Sequence, residues 1–480
     1  MKTIALLLIP LLVLGGLSLD SWASTQDTHG FDPIGLWVGS LSFGGTDLRI
    51  VVRIVKTQDG ILNATMDSPD QGAKDIPVDS VTIDGNKLIL ELRSIHGSYA
   101  GTFNPGTREI EGTWTQGISL PLKLKRADKV PEIVRPQEPK RPFPYLEEEV
   151  SYENENAGIE LAGTLTEPKS GGPFPAALLI TGSGAQDRDE MILGHKPFMV
   201  IADYLTRRGL AVLRVDDRGV GGTTGLASAA TSEDLAGDVL TGILYLKSRS
   251  DIDGRRIGLI GHSEGGIIAP MVAARSSDVA FIVLLAGTGV TGEEILYEQG
   301  ELITRAEGAT EDVIAKNREF QKKSFAVLKE NADPKVIEER LKPLLAEAYQ
   351  ELPEELRKAY GGEEAWAKGQ MEFLTSPWFK FFLTYDPKPV LNKVACPVLA
   401  LGGSKDLQVP AGRNLKAIGE ALQAGGNTNF KTIELSGLNH LFQASQTGAV
   451  SEYSRNEETF SPLALETIGE WILSVVGQKK

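Results

Sequence analysis

Between residues 34 and 125 apolar and polar side chains alternate nearly one by one, as in Leu48-Arg49-Ile50-Val51-Val52-Arg53-Ile54-Val55 and Lys87-Leu88-Ile89-Leu90-Glu91-Leu92. A period of two sends successive side chains to opposite faces, which predicts strands with one covered face. Turn signals at Gln58-Asp59-Gly60, Asp84-Gly85-Asn86 and Asn104-Pro105-Gly106 punctuate the runs, and no helical period intervenes. Residues 31–126 are therefore expected to form a small antiparallel β domain, a barrel or a sandwich.

The stretch 127–146, ADKVPEIVRPQEPKRPFPYL, carries five prolines and favours extended backbone, so it reads as a linker or strap. From 147 the pattern changes. Apolar runs, the mark of parallel strands covered on both faces, appear at 176–180, 211–215, 257–260, 281–285 and 398–401, with a further strand at 431–435. Amphipathic helices are predicted between them at 197–208, 232–248 and 266–275; Thr231 followed by Asp234 gives the second a capping box. This order predicts an open, mostly parallel sheet with helices on both faces, built from residues 147–290 and 388–480. The block 291–387, rich in Glu, Lys, Ala and Leu and ending in Ser376-Pro377-Trp378-Phe379-Lys380-Phe381-Phe382, interrupts it. An insertion leaving the carboxyl end of a strand lies over the place where such sheets bind ligands, so a helical cap is expected.

Composition narrows the picture. The apolar run after Met1-Lys2 is broken by Pro10 and Gly15-Gly16 and is followed by Ser21-Trp22-Ala23. That reads as a signal peptide, residues 1–23, rather than a membrane anchor, so an exported chain, periplasmic or secreted, with no integral span after cleavage is expected. Cys396 is the single cysteine, which rules out an internal disulfide. A net charge of −15 argues against nucleic acid or anionic lipid as partners and leaves a small molecule. Nothing in the pattern speaks to oligomeric state.

Candidate chemistry begins at 257–266, IGLIGHSEGG, where Gly261-His262-Ser263-Glu264-Gly265 joins a short apolar strand to a helix. A serine on such a turn projects its hydroxyl from the sheet edge, and the flanking glycines keep the turn open. A hydroxyl needs a base to become a nucleophile. Of five histidines, His29 lies by the processed terminus, His96 in the β domain, His195 after the first core strand and His262 beside the serine. His440, in the loop after the last strand, stands where the chain order serine, acid, histidine requires it. Asp406, in the Gly-rich loop after 398–401, is the acid that would orient its ring; Asp386 looks like part of a turn closing the cap. The oxyanion needs two N–H donors, expected from Glu264 directly after the serine and from Ser183, with Gly184 close behind, in the loop Thr181-Gly182-Ser183-Gly184-Ala185. Asp216-Asp217-Arg218-Gly219-Val220-Gly221-Gly222 lacks the spacing and lysine of a phosphate loop and is expected to brace the site as an ion network. Paired histidines and HExxH are missing, so neither a metal nor a cofactor is expected.

With GSGAQDRDE, DDRGVG, GHSEGG, GGSKDLQVP and LNHLFQ in order, residues 147–475 resemble a bacterial α/β-hydrolase family usually described as carboxylesterases. The resemblance implies the α/β-hydrolase fold and a triad at Ser263, Asp406 and His440, and it leaves the β domain unexplained. One departure is Thr181-Gly182, where many esterases carry His-Gly. The resulting expectation is a serine hydrolase that cleaves a small-molecule carboxylic ester through an acyl-enzyme. A serine exopeptidase or amidase acting on short peptides is the alternative within the same chemistry. A cell-surface binding protein with an incidental hydrolase core is the alternative outside it.

Overall fold

The computed structural model describes residues 31–43, 46–71, 73–130, 135–330 and 333–477. The expected leader at 1–23 and His29 lie outside them.

The first unit is one nine-stranded antiparallel sheet: β1 (Gly35–Phe43), β2 (Thr46–Lys56), β3 (Leu62–Ser68), β4 (Ala73–Val78), β5 (Ser80–Asp84), β6 (Lys87–Leu92), β7 (Gly97–Asn104), β8 (Glu109–Gln116) and β9 (Ile118–Ala127). Each strand pairs with the next except β4 with β5, and β9 returns to β1 through Leu36, Trp37 and Val38. The two free edges curl together, β3 against β5 and β4 against β6, giving a nearly closed barrel. The alternation explains the curl, since Leu88, Leu90 and Leu92 point inward with Trp37, Tyr99, Trp114, Leu122 and Leu124 while Lys87 and Glu91 stay outside. The Tyr99 hydroxyl, deep in this interior, lies 3.2 Å from both the Ile110 and Leu122 carbonyl oxygens.

The second unit is an eight-stranded sheet of β10 (Leu146–Asn154), β11 (Ile159–Glu167), β12 (Phe174–Ile180), β13 (Ala211–Val215), β14 (Ile252–His262), β15 (Val279–Leu285), β16 (Val398–Gly403) and β17 (Phe430–Leu435). Its order is β10-β11-β13-β12-β14-β15-β16-β17; β11 runs antiparallel to both of its neighbours, β10 and β13, and the remaining pairs are parallel. Helices α1 (Pro197–Thr206) and α12 (Pro462–Val476) cover one face, and α2 (Ser232–Ser248), α3 (Gly265–Ala273) and α11 (Ala411–Ala424) the other. The central parallel strands are largely apolar because alternate residues feed two cores. Leu259, Ile282 and Leu284 pack with α2, α3 and α11, whereas Ile260, Val283 and Leu285 pack with α1 and α12. This is the α/β-hydrolase fold. Both hydrogen bonds of the Thr231–Asp234 capping box are present at the start of α2.

Helices α4 (Gly292–Ala306), α5 (Glu311–Glu330), α6 (Pro334–Gln350), α7 (Glu354–Ala359), α8 (Glu363–Thr375) and α9 (Pro377–Thr384) form the insertion between β15 and β16, and short α10 (Lys388–Leu391) returns the chain to the sheet. Phe325, Leu341, Leu345, Trp366, Leu374 and Phe379 are among the insertion's buried apolar residues. From Arg135 on, the proline-rich segment is pinned rather than free. Gln137 accepts the backbone N–H groups of Thr459 and Phe460 at 2.6 and 3.0 Å, and Arg135 donates to the carbonyl oxygens of Leu193, Gly194 and Asn456. The barrel meets the hydrolase unit at the same surface, where Arg455 lies 3.3 Å from Asp47. No helix among the described residues is long and apolar enough to cross a membrane.

Candidate active site

Strand β14 ends at His262 and α3 begins at Gly265, so Ser263 occupies the sharp turn between them. Its φ is +52°, a left-handed conformation that a non-glycine residue holds only when its surroundings impose it. The crowding is explicit: a Cβ on Gly261 would lie 2.0 Å from the Gly265 oxygen, and one on Gly265 would lie 2.2 Å from the Ile180 oxygen. Within 261–266 every residue is buried except Ser263, which is half-buried. The turn thus presents one hydroxyl and hides its neighbours.

Asp406 follows β16 and His440 follows β17 in neighbouring loops. The Nδ1 of His440 lies 2.9 Å from Oδ2 of Asp406. The other oxygen, Oδ1, accepts the N–H groups of Gln408 and Val409, each at 2.8 Å, so the carboxylate cannot swing away from the ring. Nδ1–H donates to the carboxylate and Nε2 keeps its lone pair, the tautomer a general base needs. Asn439 locks the loop, its Oδ1 accepting the Leu441 and Gln443 N–H groups at 3.0 and 2.9 Å. The His440 ring is 4.9 Å, centre to centre, from that of His262, the residue before Ser263. Among the described residues neither Nε2 of His440 nor the Ser263 hydroxyl has a hydrogen-bond partner. Such pairs often tighten only with substrate bound.

The loop after β12 leans on the serine, since a Cβ on Gly182 would sit 3.3 Å from the Cβ of Ser263. The backbone N–H groups of Ser183, Gly184 and Glu264 have no acceptor among the described residues, which leaves them available to an oxyanion. The side chain of Glu264 turns away from the turn. Its Oε1 accepts from the Ser232 hydroxyl at 2.5 Å and its Oε2 from the indole N–H of Trp378 at 2.9 Å, tying the serine's turn to α2 and to α9 of the cap. Burial raises its pKa above the ordinary carboxyl value, against both of these bonds.

The acidic cluster after β13 is an ion network. Asp216 accepts from the Arg188 guanidinium at 2.7 and 3.1 Å, and Arg218 donates to Asp238 at 2.7 and 2.9 Å. Among the described residues Asp217 makes no ion pair. Burial pushes its pKa up to about 8, with Glu264 and Glu190 adding, although Gln186 N–H and the Thr181 hydroxyl hydrogen-bond to it. Asp386 is exposed and accepts the Lys388 N–H at the start of α10, far from this role.

The remaining histidines divide. His96 is exposed in the barrel. His195 is fully buried, donates from Nε2 to the Tyr453 carbonyl at 2.8 Å and accepts the Thr459 hydroxyl at Nδ1, so it is neutral and structural. Burial and the nearby Arg135 hold its pKa down at about 4. The unfolded chain binds this proton near pH 6.5 and the folded chain only near 4, so stability falls as pH drops through that window, by about 3 kcal/mol in all. Urea unfolding at pH 7 and pH 4 should show this loss, and His195→Gln should shrink it. His262 is the residue whose part sequence reasoning missed: placed beside the serine and set aside, it is buried with both ring nitrogens engaged, to Glu190 and to the His440 carbonyl.

Esterase EstD of Thermotoga maritima is 24% identical over 363 residues, 74% of this chain and 76% of EstD. The Pyrococcus furiosus esterase Pf2001 superposes with a TM-score of 0.42 at 15% identity, covering 69% of this chain and 91% of that one. Est1E from Butyrivibrio proteoclasticus, solved with ferulic acid, gives 0.40 at 18%, covering 68% and 100%. Residues 130–433, well over half of the chain and including Ser263 and Asp406, match the family described as X-Pro dipeptidyl-peptidase (S15 family), and the chain belongs to that family of hydrolases.

Proposed function

We propose that the protein is a serine hydrolase that cleaves carboxylic esters of small molecules through an acyl-enzyme on Ser263. The observation that carries this reading is the fixed Asp406–His440 pair, 2.9 Å apart, beside a serine at a left-handed strand-to-helix turn. In the first step His440 Nε2 takes the hydroxyl proton as Ser263 Oγ bonds to the ester carbon. The N–H groups of Glu264 and Ser183 or Gly184 receive the negative oxygen. His440 then passes the proton to the departing alcohol, and water repeats the sequence in reverse roles to release the acid. The extended relationship to EstD, named as an esterase, supports ester over amide substrates.

A peptidase reading has its own support in the family description, X-Pro dipeptidyl-peptidase. The two differ in the leaving group, so a short-chain aryl ester and an X-Pro aryl anilide, assayed side by side, separate them. We expect the larger kcat/KM on the ester, and a larger value on the anilide would overturn the esterase assignment. The insertion between β15 and β16 would act in either case as the cap that selects substrate, with Trp378 as its contact to the serine's turn.

A further inference from the structure

His262 and Glu190 are almost fully buried, at 5% and 1% exposure, and lie beside the reacting groups with no part in the steps above. The Nε2 of His262 is 3.0 Å from the backbone oxygen of His440, and its Nδ1 is 2.9 Å from Oε1 of Glu190. A carbonyl oxygen can only accept, so Nε2 carries a hydrogen. The same Glu190 oxygen accepts the Gly182 N–H at 2.6 Å, the bonding of a carboxylate, so Nδ1 carries a hydrogen as well. The ring is an imidazolium held against a carboxylate. Burial opposes this charge, but the charge and hydrogen bond of Glu190 outweigh it, with the His440 carbonyl and Asp406 adding, and the ring's pKa is raised.

The contacts join three segments distant in sequence. Glu190, itself in a left-handed conformation at φ +50°, grips the oxyanion loop at Gly182, where a Cβ would come within 3.1 Å of its Oε1. His262 ends the strand that delivers Ser263. Its other nitrogen grips the backbone of the general base.

We infer that Glu190 and His262 form a positioning dyad that holds the oxyanion loop and His440 in register with Ser263. The inference rests on the reading of Ser263 and His440 given above. The charged groups facing His262 are Glu190, Asp406 and His440, and Asp217 lies near Glu190.

The test measures kcat and KM on an aryl ester from about pH 5 to 9 for the full chain, Glu190→Gln, His262→Gln and Ser263→Ala. Loss of register should lower kcat about 100-fold in both dyad variants with KM within about threefold of the parent. Folded variants with kcat within about threefold of the parent would overturn the dyad, whereas an active Ser263→Ala would overturn the underlying reading. Should a variant not fold, nitrogen-15 spectra of the histidines in the parent protein decide. One ring should stay doubly protonated above the pH at which an ordinary imidazole is neutral, and rings that all titrate at or below the ordinary imidazole value would overturn the inference.

Discussion

Ser263→Ala is expected to lower kcat/KM on an aryl ester by about 10⁵- to 10⁶-fold while leaving the fold intact. The hydroxyl is the one group that the turn exposes, and without it the neighbouring base has no nucleophile to activate. The substitution removes a single oxygen from a half-buried side chain that makes no hydrogen bond among the described residues, so thermal unfolding should be nearly unchanged. What remains is the rate that a preorganised oxyanion site and substrate binding give to water, and KM should move little. A variant that retains more than a small fraction of parental activity would place the nucleophile elsewhere.

Asp406→Asn is expected to cost about 10⁴-fold in kcat, and the structure explains why so small a change does so much. Two backbone N–H groups, from Gln408 and Val409, hold Oδ1. In the variant they select the amide oxygen for that position and turn the amide NH₂ toward Nδ1 of His440. Nδ1 then has to accept, and the ring's hydrogen moves to Nε2. The nitrogen that should take the serine proton already has one. Steady-state kinetics with the purified variant check this, and a loss below about tenfold would contradict the assigned tautomer.

The core strands were legible because their burial leaves a simple trace. A strand covered on both faces is apolar at nearly every position, and the runs at 211–215, broken only by Arg214, and 398–401 stand out for that reason. The edge strand β10 carries no such trace; 146–154, LEEEVSYEN, buries little beyond Val150 and Asn154 and is acidic where it meets solvent. Alternation identified the barrel's strands but not its closure, which depends on β9 pairing with β1 some ninety positions earlier, as Leu36 does with Ala127. Local pattern is the same in a barrel and a sandwich.

The site divides in the same way. Ser263, Asp406 and His440 could be picked out because each follows a readable strand and because histidines are few. The part played by His262 could not, since it comes from a contact with a residue 72 positions away and another 178 away. The letter E closing GSGAQDRDE was visible as Glu190, but no spacing rule joins it to Gly182 and His262. The link from Glu264 to Trp378, across 114 positions, is of the same kind. Such contacts exist only once the sheet has set its strand order.

Treatment of the intact protein with an aryl fluorophosphonate, followed by proteolysis and peptide mass analysis, bears most directly on the chemistry assigned to the serine's turn. The expected product is one phosphonyl group, carried by Ser263 and formed in step with the loss of ester hydrolysis. Loss of activity with Ser263 unmodified and another serine labelled, Ser183 for instance, would contradict the account.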